Sequence, residues 1–174
     1  KPHTRHYIEG SDRLAALAFI ASPREAAARD KKFIAGGAPV SAAEPTITTG
    51  LLHREKDGTL ARPVGEIGPQ GEVLGGGEVD RFDDLIDWGF QLIGWECDPA
   101  AHLRPEQRKF LEMIGTTIVQ MSDQPTLRNG VVDLDGVYEA FFRAHNAVVM
   151  LVRPDFTVFG VARPPVELPA LVDA

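Results

Sequence analysis

Cys97 is the one cysteine in the chain, in the run Trp95-Glu96-Cys97-Asp98-Pro99-Ala100 directly after an apolar segment. A thiol at the end of a strand can act as a nucleophile when a nearby positive charge or helix N-terminus lowers its pKa and a second thiol resolves the product. Here no second cysteine exists, and Glu96 and Asp98 flank the sulfur with charges that oppose the thiolate. A structural cysteine is therefore expected. Asp80, Asp83, Asp84 and Asp87 recur at spacings of three or four, which on a helix face offers oxygen ligands to a hard cation. The spacing lacks the Asp-x-Asp-x-Asp-Gly order of a calcium loop, and the expected role is stabilisation of the positive end of a short helix over 83–88.

The five histidines, His3, His6, His53, His102 and His145, provide one pair a turn apart, His3 and His6, with no third ligand close in sequence. Solvated or packing roles are expected for them. None of Ser11, Ser22, Ser41 and Ser122 sits in a Gly-x-Ser-x-Gly nucleophile elbow. Gly75-Gly76-Gly77 is followed by neither the spacing of a dinucleotide loop nor a Gly-Lys-Ser/Thr triplet, so it is read as an exposed turn. The residues thus predict no catalytic, cofactor-binding or metal-ligating constellation.

Composition narrows the classes further. The chain has 174 residues, with 25 acidic against 18 basic side chains and a net charge of −7. That balance argues against a nucleic-acid footprint, which needs clustered Lys and Arg, and against sustained binding to an anionic membrane surface. A single cysteine excludes an intramolecular disulfide framework and fits a reducing, cytoplasmic setting. No apolar run approaches the roughly 20 residues of a membrane helix. The length suits one domain plus an appendage.

The elements that must position these residues fall into three zones. Over 1–33 the residues Ile8, Leu14, Leu17, Ala18 and Ala21 recur at helical spacing, with a break at Ser22-Pro23 where Ser caps and Pro opens a second helix. This arm carries too little apolar surface to fold alone. Because it opens mid-helix and without Met, it is expected to continue a longer chain. Over 34–80 the many Gly and Pro residues preclude a long helix, leaving short strands such as 46–52 and 71–74. From 81 to 174 the pattern alternates: strand 90–95, helix 105–114 with Phe110, Leu111 and Ile114 inward, strand 116–121, and a helix from Asp135 to His145 with Val137, Tyr138, Phe141 and Phe142 inward. A buried strand 148–152, a turn at Arg153-Pro154-Asp155, a strand 156–162 and a short helix 164–172 complete it. Trp88, Trp95 and the phenylalanines are expected in the core. The order strand, helix, strand, helix, hairpin, helix predicts an α/β fold: a thioredoxin-like mixed sheet with flanking helices, preceded by an α-helical arm.

Several segments together resemble one family. Lys1-Pro2-His3, the run from Phe90 to Pro99, Phe141-Phe142-Arg143-Ala144-His145-Asn146-Ala147, and above all Arg153-Pro154-Asp155 after an apolar strand are similar to the C-terminal part of FAD-dependent aromatic hydroxylases of the 3-(3-hydroxyphenyl)propionate hydroxylase type, class A flavoprotein monooxygenases. Pro63-Val64-Gly65 to Pro69-Gln70 and the stretch from Asp83 to Phe90 resemble the approach to that domain. The likeness is weakest over 34–59. It implies a parent enzyme that uses FAD and NAD(P)H to hydroxylate a phenolic ring, and a C-terminal thioredoxin-like domain without the redox motif that serves packing and subunit contacts. It also implies that 1–33 continues the last helices of a missing N-terminal FAD domain, that 34–80 is a connector, and that 81–174 is the C-terminal domain. The partners implied are that FAD domain and, in a homo-oligomer, a second copy. No flavin fingerprint occurs here, so no catalytic or cofactor residue is carried over and the fragment alone is expected to bind no cofactor. Two other readings stay open: a stand-alone thiol oxidoreductase acting through Cys97, and a module that dimerises through its first helices.

Overall fold

A computed structural model describes residues 2–37, 46–86, 88–125 and 130–174, with the side chains of Pro2 and His3 excepted. Two compact units emerge, residues 1–46 and 47–174.

The first unit is a pair of helices, α1 (Pro2–Ala18) and α2 (Pro23–Ile34). The break between them has the expected cause: Ser22 adopts an extended conformation and its hydroxyl accepts the Glu25 N–H, while Pro23 occupies the first helical position. Arg29 donates to the Leu17 carbonyl and so ties the two helices together. Helix α2 has no buried residue, and Ile8, Leu14, Phe19 and Ile34 are exposed.

The second unit is built on a seven-stranded mixed sheet. Its strands are β1 (Glu72–Gly75), β2 (Glu78–Arg81), β3 (Gln91–Trp95), β4 (Thr117–Ser122), β5 (Val131–Asp133), β6 (Val149–Val152) and β7 (Val158–Ala162), in the spatial order β2-β1-β5-β4-β3-β6-β7. The helices are α3 (Phe82–Leu85), α4 (Pro105–Met113), α5 (Val137–His145) and α6 (Leu168–Val172). Strands β3 and β4 are parallel, joined through α4, whereas β6 pairs antiparallel with both β3 and β7. The parallel crossover and the antiparallel hairpin are those the connection lengths predict.

Side-chain alternation splits the core into two layers. Ile93, Val119, Met121, Met150 and Val152 face one side, where Phe82 of α3 and Tyr138 and Phe142 of α5 cover them. Leu92, Val149, Leu151 and Phe159 face the other, under Leu111 of α4 and Leu168 and Leu171 of α6. All four residues of β6 are buried, as a strand covered on both faces requires. The hairpin turn is held by the motif that follows β6. Arg153 N–H donates to the Thr157 carbonyl at 2.9 Å, and its guanidinium reaches the Leu51 carbonyl at 2.9 Å and the Asp155 carboxylate at 2.7 Å.

Several expectations need correction. Residues 46–52 form no strand: Ile47 N–H donates to the Gly65 carbonyl and the segment runs irregularly over the sheet edge. Strands β2 and β5 were not foreseen. Gly76 and Gly77, at φ 61° and 88°, make the two-residue turn between β1 and β2, a conformation open to glycine. The helix expected over 83–88 is the single turn α3, and Asp87 lies outside the described residues. Trp88 is 85% exposed rather than core, with its ring 5.8 Å from that of Phe156. In α5 the fully buried side chains are Tyr138 and Phe142, while Phe141 is half-buried; Phe110 of α4 is 44% exposed.

Candidate functional site

The thiol loop leaves the carboxyl end of β3. Trp95 N–H donates to the Val148 carbonyl at 2.8 Å and Glu96 N–H to the Met121 carbonyl at 2.7 Å, which pins the loop start to the neighbouring strands. Glu96 then adopts a left-handed φ of 52°, a conformation that is uncommon for a residue with a side chain. Asp98 accepts the Ala100 N–H and caps the 3-10 turn Pro99–His102. Cys97 is half-buried, with its thiol directed at the Val148 carbonyl at 3.6 Å. Burial first, and the Asp98 carboxylate second, push the thiol pKa above its ordinary value. A thiol so placed is a poor nucleophile at neutral pH. Gly94 permits the loop to fold back, because a Cβ there would run into the Cys97 carbonyl and lie 2.8 Å from Pro99 Cδ.

The other candidates disperse. Asp80 accepts the adjacent Arg81 N–H, Asp84 is exposed, and Asp83 accepts from the Gln70 side-chain amide. Burial nevertheless raises the Asp83 pKa. Asp83 and Asp84 lie in the first turn of α3, yet no side chain caps that helix. Among the described residues no three His, Cys, Asp or Glu side chains converge as a metal site. His102 is exposed and His53 half-buried; His145 packs against Phe141 with ring centroids 4.7 Å apart, and burial lowers its pKa. His6 lies edge-on to Tyr7, and the His3 side chain is outside the described residues. Ser122 donates to the Gln124 carbonyl at 2.7 Å, Ser22 is the helix cap, Ser11 is exposed and Ser41 is not described.

Two features were not read from the sequence. One is a buried polar nest at the start of α5. Asp133 accepts the Glu139 N–H at 2.9 Å through Oδ2, while Oδ1 is buried without a partner. Asp135 accepts the Val137 and Glu72 N–H groups. Burial raises the Asp133 pKa, and burial with the nearby Asp83 and Asp133 charges raises that of Tyr138, whose hydroxyl is also unpartnered. The other is an open cleft of about 390 Å³ at the carboxyl ends of β3 and β4, beside the C-terminus of α5. Trp95, half-buried and stacked on Phe142 at 5.7 Å and 28°, forms part of its lining. No short-range pattern signals either one, since each draws on residues far apart in the chain.

Neither the glycine turn nor the first turn of α5 fits a flavin pyrophosphate. A bound pyrophosphate needs free N–H groups at a helix N-terminus after a glycine-rich turn. The glycine turn here joins two antiparallel strands, and the first turn of α5 already gives the Val137 and Glu139 N–H groups to carboxylates that would repel phosphate.

By fold, then, this is a mixed-sheet α/β domain with flanking helices and an N-terminal helix pair, and its strand-end loop carries one unactivated thiol. The profile of the HcaD C-terminal domain matches residues 65–174, and the chain belongs to that family. It is 30% identical over 130 residues to the 3-(3-hydroxy-phenyl)propionate/3-hydroxycinnamic acid hydroxylase of Escherichia coli (strain K12), a match that covers 69% of this chain and 23% of the relative. The chain thus spans about a quarter of the length of the curated relatives it matches. Among solved structures, it is similar to the flavin-dependent monooxygenase PieE in complex with FAD and substrate, with TM-score 0.54 and 18% identity over 92% of this chain and 31% of that one. It is also similar to aklavinone-11 hydroxylase with FAD and aklavinone, with TM-score 0.50 and 18% identity over 73% of this chain and 25% of that one. At these identities the structural likenesses establish the fold.

Proposed function

We propose that the chain is the non-catalytic, thioredoxin-like C-terminal part of an FAD-dependent, NAD(P)H-using monooxygenase that hydroxylates a phenolic aromatic compound in the cytoplasm. The observation that carries this reading is the match of residues 65–174 to a family described as a C-terminal domain, in relatives about four times as long as the stretch matched. The raised pKa of Cys97 supports the absence of thiol chemistry from the domain.

In this reading residues 1–33 continue the helices of an N-terminal FAD domain, 34–80 connect and also give β1 and most of β2 to the sheet edge, and 81–174 supply the rest of a rigid body for packing and subunit contacts. The exposed Ile8, Leu14, Phe19 and Ile34 of the helix pair fit that assignment, because an apolar stripe in water needs a covering surface. Flavin, held elsewhere in the parent enzyme, supplies the redox chemistry of oxygen insertion. The residues of this chain hold no proton-transfer or substrate-orienting role in it.

The test is spectroscopic and kinetic. The purified chain is expected to show no flavin absorbance near 450 nm, and no NADH or NADPH oxidation with added FAD and 3-(3-hydroxyphenyl)propionate. Stoichiometric flavin in the preparation would refute the reading. Sedimentation velocity with and without residues 1–33 checks the association role: concentration-dependent association that disappears with the arm is expected, and a strict monomer in both cases counts against it.

A further inference from the structure

In the second unit, the cleft at the ends of β3 and β4 brings together an aromatic face, charges without an ion pair among the described residues, and cavity volume. Its roughly 390 Å³ falls in the range of small-ligand sites. It lies outside the carboxyl ends of two parallel strands, on β3, the strand flanked by a parallel neighbour on one side and an antiparallel one on the other. Crevices at such positions are where open α/β sheets bind ligands.

The charges choose the ligand. Arg143 is paired with Glu139 one turn earlier on α5, which removes both from the balance. Glu96 and Asp123 remain, and neither makes an ion pair among the described residues. Against them stands Arg163, whose guanidinium likewise has no ion pair among those residues; its backbone N–H donates to Glu167. The uncompensated balance is one negative charge beside the Trp95 ring, which the stack on Phe142 holds in place. Indole is the aromatic face that attracts cations most strongly. Glu96 is held in its left-handed conformation, and its backbone is fixed to β4, so its position does not depend on a flexible loop.

We propose that this cleft binds an organic cation, a guanidinium or alkylammonium group, against Trp95 with Glu96 and Asp123 as its counter-charges. The cation can come from a free amine or from an Arg or Lys side chain of a peptide segment.

Only two tryptophans are present, so the variant Trp88→Phe leaves Trp95 as the sole indole reporter. In that background, L-arginine amide and an Arg-containing tetrapeptide are titrated against Trp95 fluorescence, with phenylacetate as the anionic aromatic control. A saturable change with arginine amide is expected, at least about tenfold weaker in the Glu96→Gln/Asp123→Asn variant and weakened by added salt. Arg163→Gln should leave it unchanged or tighten it, since a like charge is removed. Both side chains of the double variant are exposed, and an unchanged far-UV spectrum verifies its fold. Tighter binding of the tetrapeptide than of arginine amide assigns the site to a peptide segment, and equal binding assigns it to a free amine. Linear, non-saturating quenching that is the same in all variants would overturn the proposal. So would saturable binding of phenylacetate that Arg163→Gln abolishes, which would make the cleft an anion site.

Discussion

Phe141 and Phe142 are adjacent, chemically identical and both on α5, yet the sheet buries only the second. Phe142 is 2% exposed, stacked on Trp95 at 5.7 Å and edge-on to Phe141 at 5.9 Å. Truncation to Ala removes a ring of roughly 100 Å³, which at about 24 cal/mol per Å³ of unrelaxed cavity contributes about 2.4 kcal/mol. The lost transfer of the ring from water adds about 2 kcal/mol, for a total near 4 kcal/mol. Phe141 is half-buried and its loss opens to solvent instead of leaving a void, so its truncation should cost about half as much. The assay is urea unfolding at 15 °C followed by far-UV circular dichroism. With a urea slope of about 2 kcal/mol/M, Phe142→Ala should lower the midpoint by about 2 M and Phe141→Ala by about 1 M. If Phe142→Ala is too unstable to measure, Phe142→Leu should still lower the midpoint more than Phe141→Leu does. Equal shifts, or the reverse order, would refute the assignment of the inward face of α5.

Two further outcomes follow from the titrating groups. Alkylation of Cys97 by iodoacetamide should reach half its maximal rate at a pH above that of a free thiol, because burial and Asp98 disfavour the thiolate; a midpoint below the free-thiol value would revive the oxidoreductase reading. Asp133 has a raised pKa in the folded state, so from the ordinary 3.8 up to that raised value the native chain binds more protons than the unfolded one. Its contribution is therefore full below 3.8 and is lost as pH rises through that window, and Asp133→Asn should flatten this fall in stability; an unchanged pH profile would show that the nest does not hold its proton.

Much of the second unit could be read along the chain because its signals are local. The β-branched run of β4, the proline opening α4 and the turn at Arg153-Pro154-Asp155 each act within a few residues, as does the cap at Ser22 in the first unit, and each appears where its chemistry places it. Strand β5 was missed for the opposite reason. Three residues are too few to show a period, and Val131–Asp133 becomes a strand by pairing with β1 and β4. The segment 46–52 has strand-forming residues but lies outside the sheet ladder, so its β-propensity did not decide.

The candidate site divides the same way. Type and spacing alone determined that the chain has one thiol between two carboxylates, no dinucleotide-loop spacing after Gly75-Gly76-Gly77, and an aspartate run without the order of a calcium loop. Tertiary structure alone decided that Trp88 stands in solvent while Trp95 stacks on Phe142, that Asp133 and Tyr138 share a buried nest, and that Glu96, Asp123 and Arg163 open onto one cleft. The physical reason is range. Caps, turns and alternation are written within one turn of helix or one pleat of strand, whereas burial and electrostatic environment are set by residues that only the closed sheet brings together.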